Sequence, residues 1–348
     1  MNFLKKYRHI IKASMSSSIL KISPLGSVWK TIDPFLICVH HNDEYPPGNE
    51  NFGPQNGIET IYWPESSKSK RWSMYHGKKV PGFPAHPHRG FETITIVRKG
   101  LVDHSDSLGV RARYGDGDTQ WLTAGRGIVH SEVFPLLNKD KSNPLDLIQI
   151  WLNLPAKNKL VDPNFTMIWA KDIPKYSFWK SNKKTEVHCI AGDFLGEPTT
   201  KMPKPPPNSW AADLVNNVAI WTIKMEPGAT WVLPPTQVQG IRRQLFFFAG
   251  DSLSIDSHLM SRHSAIEIRS DASVQLSNGA RPTEILMLQG RPLNEPVVQH
   301  GPFVMNSREE IIEAMNDFQK SRFGKWNWTD DEPVHGPINE KFVSGIPF

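Results

Sequence analysis

Two strings decide how this chain is read: FPAHPHRGFETITIVRKG at residues 83–100 and GDTQWLTAGRGIVHSEVF at residues 117–134. Each contains a couplet of metal-binding side chains, His86-Pro87-His88 in the first and His130-Ser131-Glu132 in the second. Alternate side chains of a strand share a face. His86 and His88 therefore point one way together, as do His130 and Glu132. Two such strands lying side by side would bring three imidazoles and a carboxylate to one point. Pro87 offers no N–H to a ladder, which places the first strand at a sheet edge or entrance.

Imidazole with one carboxylate suits Fe(II), Ni, Cu or Zn, and does not suit Ca or Mg, which take oxygen ligands. Strands would hold the four groups rigidly and could leave a coordination position open, the mark of a reactive metal. A single HxH near a turn is more often a packed or solvated pair. Two couplets in one domain, each with a glycine close by, shift the balance to a metal site.

Outward from these strings the chain reads as β-structure. Residues 93–97 (TITIV) form a clear run, with further candidates at 118–122, 127–134 and 145–154 (LDLIQIWLNL). Strands of this length, recurring with turns and no intervening helices, predict a small antiparallel barrel or sandwich. Upstream, FLICVHHNDEYPPGNENFGP reads as a strand emptying into a polar loop, so His40, His41, Asp43 and Glu44 are expected to be solvated. Residues 155–184 read as a connection. A second β-rich block follows a proline-rich loop after Gly196: VAIWTIKM, ATWVL, RQLFFFAG, SLSID, SAIEIRS, SVQLS and TEILMLQG. Its rhythm repeats the first block, as an internal duplication would. It has no HxH couplet, and His258 and His263 stand singly. Leu245-Phe246-Phe247-Phe248 is apolar at consecutive positions, the pattern of a strand buried on both faces. Near the end, Ser307-x-x-Glu310 forms a capping box, and Ile311, Met315 and Phe318 follow at helical spacing until Gly324.

Composition narrows the class further. The chain has 348 residues, 39% hydrophobic, with 29 prolines and 24 glycines spread between short runs. That is the punctuation of a turn-rich β protein. No apolar run approaches the roughly 20 residues that cross a membrane. The net charge of +5 is local: residues 1–30 carry six Lys and Arg and no acid, leaving −1 for the rest. A near-neutral body argues against direct nucleic-acid binding. Cys38 and Cys189 sit in no paired spacing, which fits a reducing compartment, expected to be the cytoplasm, or the nucleus of a eukaryotic cell. The first 18 residues lack the apolar core of a secretory signal. Basic and acid-free, they read as a frayed tail, or as residues ahead of a true start at Met15, with a transit peptide as the alternative.

HPHRGFETITIVRKG resembles the first metal-binding motif of the cupin superfamily, an HxH followed by a glutamate and then a glycine. With WLTAGRGIVHSE and the late string PVVQHGPFVMN, the resemblance narrows to the pirin family and spans roughly residues 24–324. It implies an all-β fold of two tandem cupin barrels with a C-terminal helix, and a single Fe in the first barrel. The implied boundaries are a basic extension at 1–19, a metal-carrying domain at 20–157, a metal-free domain at 158–324, and a tail at 325–348. The implied ligands are His86, His88, His130 and Glu132. An ordinary cupin would use Glu92 as the carboxylate; the pirin pattern uses Glu132 and leaves Glu92 an orienting or structural part. The extension and the tail are not covered by the pattern.

Pirin-like proteins resemble quercetin 2,3-dioxygenases, which open a flavonol ring with O₂ and release CO. That implies an enzyme with Fe(II), or another divalent transition metal, whose partners are O₂ and a small flavonol-like aromatic, with Glu132 as the proton acceptor. The alternative class is a non-catalytic iron-binding redox sensor or co-regulator that acts through protein partners. A third reading has the metal only staple the barrel.

Overall fold

In the strand Phe91–Lys99, threonines 93 and 95 alternate with isoleucines 94 and 96, so the two kinds face opposite sides of the sheet. The isoleucines join an apolar layer that contains Ile148, Ile150, Ile220, Phe246, Leu286 and Leu288. The threonines face the inside of a barrel. This inverts the usual rule of apolar inside and polar outside, because a second barrel covers the outer face.

The computed structural model describes residues 17–55, 72–192, 194 and 202–345. Expectations about residues 1–16 and about part of the loop after Gly196 fall outside them. The first barrel joins two antiparallel sheets. The six-stranded one runs Asn164–Ile168, Thr119–Thr123, Phe91–Lys99, Asn143–Asn153, Phe35–Tyr45 and Val28–Lys30. The five-stranded one runs Phe342–Ser344, Arg111–Gly115, Leu101–Asp106, Ile128–Val133 and Gly82–His88. The second barrel pairs a seven-stranded sheet, from Ile19–Pro24 at one edge to Lys175–Lys180 at the other, with a four-stranded sheet of residues 230–278. The fold is all-β with two tandem barrels; the α-helix among the described residues is Arg308–Ser321. No helix there is long and apolar enough to cross a membrane.

The two large sheets face each other. Leu245 and Phe247 point into the second barrel, whereas Phe246 and Phe248 point into the layer between barrels, where Phe246 stacks on Trp29 at 5.3 Å. The run is buried on both faces, as its pattern predicts. The chain ends cross over: Ile19–Pro24 pairs with Ser264–Ile268 of the second barrel, and Phe342–Ser344 pairs with Arg111–Gly115 of the first.

Three expectations need correction. Residues 155–184 are more than a connection: Asn164–Ile168 pairs with Thr119–Thr123, and Lys175–Lys180 pairs with Lys183–Ala191. Both are edge strands: Asn164–Ile168 has only five residues and Lys175–Lys180 carries a lysine at each end, devices that blunt an open edge and hide the β pattern. The strand Phe35–Tyr45 continues through the segment read as a solvated loop. His40 bonds Asp146 on the outer face, and His41 and Asp43 are buried on the inner one. The helix begins with the expected capping box, but its buried seam is Ile311 and Ala314, while Met315 is 37% exposed. A helix lying on a narrow hairpin, Val298–His300 with Phe303–Met305, buries a thinner stripe than one lying on a sheet. It ends at Arg322, in the left-handed region at φ 52°, ahead of Gly324.

Candidate metal centre

The ligand-bearing strand Gly82–His88 is paired on one side only within its sheet, by Ile128–Val133. Phe83 lies opposite Glu132 and His86 opposite His130, three steps along one strand against two along the other. The extra residue is a bulge at Pro84-Ala85, and it matters because strand side chains alternate. Without it, His86 would point out of the barrel. The Pro84 carbonyl accepts a hydrogen bond from His86 Nδ1 at 2.8 Å, which leaves Nε2 bare.

His86, His88 and His130 place ligand nitrogens within 4.8 Å of one another, with ring centroids 4.4–4.9 Å apart. His88 Nδ1 and both nitrogens of His130 are buried without a hydrogen-bond partner. An orphaned buried nitrogen costs about 1–3 kcal/mol, so three in one cluster call for an occupant. Burial pushes the pKa of all three rings down, most strongly at His88 and His130; at His86 the Pro84 bond and the Glu132 charge partly offset it. Neutral imidazoles are the metal-binding form. The residues present fit a transition-metal ion.

Glu132 is not part of the three-histidine group. Its carboxylate accepts from Gln149 Nε2 at 2.8 Å and from Thr95 Oγ1 at 3.1 Å. The Tyr114 hydroxyl lies 3.5 Å away and also donates to Gln120 Oε1 at 3.0 Å. Gln120 continues to His104 Nδ1 at 3.1 Å, and His104 Nε2 bonds Asp106 at 2.9 Å. The interior of the first barrel is thus one connected polar network. Beside it stand aromatic side chains. His41 meets Tyr75 edge-on at 4.5 Å, Tyr75 stacks on Phe83 at 5.2 Å, and Trp151 lies against Phe91 at 4.2 Å. Gln149, Trp151, Phe83 and His86 are only partly buried, so this side is the approach to the histidines.

Glu92 faces away from the centre. It accepts from Thr123 Oγ1 at 2.7 Å and Ser209 Oγ at 2.5 Å, in the layer between the barrels. Burial raises its pKa from 4.5 to about 7, against the lowering effect of the Ser209 and Thr123 bonds. No hydrogen bond joins it to an imidazole of the cluster. Sequence reading overlooked Gln149, Thr95 and Tyr114, and set His41 aside as solvated. The usable signal was parity: Gln149 interrupts the apolar run LDLIQIWLNL directly opposite Thr95.

A family profile described as Pirin matches residues 64–152, and one described as Pirin C-terminal cupin domain matches residues 220–324. The chain belongs to the pirin family. It is 32% identical over 256 residues to pirin of Homo sapiens, covering 72% of this chain and 80% of that one. To a pirin-like protein of Solanum lycopersicum it is 32% identical over 244 residues, covering 70% and 77%. The crystal structure of quercetin 2,3-dioxygenase from Acinetobacter baumannii superposes with a TM-score of 0.66 at 25% identity, covering 88% of this chain and 96% of that one. The two barrels are therefore cupin barrels. The first pirin match contains all three clustered histidines, and residues after 324 lie beyond both matches.

Proposed function

We propose that this pirin-family chain is a mononuclear metal-dependent dioxygenase that acts on a flavonol-like aromatic, with quercetin as the type substrate. In this reading His86, His88, His130 and Glu132 hold the ion, Fe(II) first among the divalent transition metals. The observation that carries it is the convergence of unpartnered histidine nitrogens on a polar barrel interior whose approach is lined by aromatic rings. When bound, the ion supplies Lewis acidity toward a coordinated hydroxyl and, as iron, redox access to O₂.

The chain's own residues do the rest. Gln149 and Thr95 hold the Glu132 carboxylate by its two oxygens, so it is aimed before substrate arrives. Glu132 takes the substrate's hydroxyl proton, the general-base role. Tyr75, Phe83 and Trp151 offer ring faces and edges to a flat aromatic. The similarity to a solved quercetin 2,3-dioxygenase supports the same reading.

The test is anaerobic reconstitution with Fe(II), followed by a flavonol panel with and without O₂. Ring opening is expected only with both metal and O₂ present. Glu132→Gln should lower turnover by about 10²–10⁴-fold, the span of general-base catalysis. Reconstituted protein that leaves every flavonol intact under O₂ would refute the assignment.

A further inference from the structure

Residues 325–345, which follow both matched segments, form a strap across the outer face of the histidine-bearing sheet. Asp331 meets one edge, where its carbonyl accepts from Ala85 N at 2.8 Å. Across the middle, Trp328 Nε1 donates to the Asp106 carbonyl at 3.0 Å and His335 N donates to Asp103 at 2.8 Å. At the far edge, Phe342–Ser344 adds a strand to Arg111–Gly115. The strap therefore spans the five-stranded sheet from edge to edge.

Its anchor is Glu332, 7% exposed. The carboxylate accepts from Lys78 N at 2.9 and 3.1 Å, from Lys79 N at 2.9 Å and from Val80 N at 3.0 Å. Three consecutive backbone N–H groups converging on one anion form a nest, a site built for negative charge. The loop that makes it is tightly folded: a Cβ on Gly77 would sit 1.9 Å from the Val80 carbonyl oxygen. This loop leads directly into Gly82–His88. Ala85, the residue Asp331 holds, belongs to the bulge that turns His86 inward.

We infer that Glu332 is a positioning residue for the metal centre: by filling the amide nest of residues 78–80 it docks the strap that holds the Pro84-Ala85 bulge and so aims His86. This rests on reading the three histidines as metal ligands. Nearby Asp330 pairs with Lys79 in the open. An exposed pair of that kind contributes little, but Asp330 Oδ1 also accepts from Glu332 N at 3.0 Å, so the control is Lys79→Ala, which removes the pair and leaves that bond and the Lys79 amide in place.

The experiment uses the full chain, with Co(II) as the probe metal. Two quantities are read: Co(II) release to a chelator, and amide hydrogen exchange over residues 78–85 in the metal-free protein. Glu332→Ala should release Co(II) on the order of 10–100-fold faster, the range for groups that orient ligands, with an altered Co(II) absorption spectrum. Exchange at residues 78–80 and 85 should quicken by at least about tenfold as the local structure opens. Added formate should refill the vacated nest and restore both readouts, while neutral formamide should not. Glu332→Gln, which keeps the volume and loses the charge, should fall between, and Lys79→Ala should match wild type. Release and exchange unchanged in Glu332→Ala, or equally fast in Lys79→Ala, would overturn the inference, as would an absence of formate rescue. If wild type itself takes up no Co(II), the ligand reading fails, and exchange with its formate rescue still decides the strap.

Discussion

The two barrels share a strand plan and differ in what fills them. The first encloses His86, His88 and His130 and, beside them, His104, Glu132, Gln120, Gln149, Thr95 and Tyr114, which hydrogen bonds join to one another. The second encloses Val187, Cys189, Trp221, Ile223, Trp231, Phe247, Ile285 and Met287 in one apolar cluster. Burying polar groups costs free energy even when they are paired, so a barrel with a wet-chemistry interior has less apolar core to hold it together. What compensates is the outer face. Ile94, Ile96, Ile148, Ile150 and Leu152 pack against the neighbouring barrel instead of water. The comparison teaches a division of labour. One barrel carries the polar, histidine-bearing interior, and the other supplies an apolar core and a cover.

The sharpest way to break that division is to remove both histidines of the first couplet. In His86→Ala/His88→Ala, metal affinity should fall on the order of 10⁴-fold, taking each ligand as at least about 100-fold. Metal analysis of the purified chain should then find almost none. Metal content equal to wild type would move the site elsewhere and end the comparison.

A smaller effect should separate core from chemistry. Phe247 is fully buried inside the second barrel, so Phe247→Ala should destabilise the chain by about 3–5 kcal/mol. Metal stoichiometry should stay at the wild-type value in the fraction that remains folded. Denaturant unfolding paired with metal analysis checks both, and loss of metal from still-folded variant would show that the barrels are not divided in this way.

The smallest effect lies at the contact between the barrels. Glu92 has its pKa raised from 4.5 to about 7, so the folded protein holds that proton more tightly than the unfolded chain. Its contribution is fully present below pH 4.5 and is lost as pH rises through 7. Wild type should lose about 3 kcal/mol across this window that Glu92→Gln retains, and the variant should keep its metal. Parallel stability profiles from pH 4.5 to 8 would remove Glu92 from the account. Loss of metal in Glu92→Gln with retention in Glu132→Gln would instead restore the general cupin pattern.

Much of this architecture could be read along the chain because it depends on local periodicity. Alternation in TITIV and LDLIQIWLNL, the doubly apolar LFFF run and the Ser307–Glu310 capping box each specify an element from neighbouring residues alone. The HxH and HxE couplets belong to the same class, since two residues apart in a strand means one face in any fold. Misreadings gathered where polar side chains serve a distant partner. His41 and Asp43 look like solvated-loop residues until Tyr75 and Phe83 close over them, and Asp43 then accepts from the Tyr75 hydroxyl at 2.5 Å.

What the residues determined by themselves is therefore the central strands, their duplication and the side chains able to bind a metal. Register, facing and closure were settled by contacts between segments far apart in the chain. The bulge that puts His86 opposite His130 depends on how one strand pairs with another some 45 residues away. Glu92 sits four residues after His88, a spacing that would share a face within one strand, and still faces away from it, because the turn at residues 89–90 carries the chain into the other sheet, whose outer side the second barrel covers. Glu332 finds its three amides some 250 positions upstream. No local pattern encodes such pairings, since a carboxylate in a tail has the same intrinsic preferences whether it meets water or a nest; only the folded chain, by burying both partners together, makes the difference.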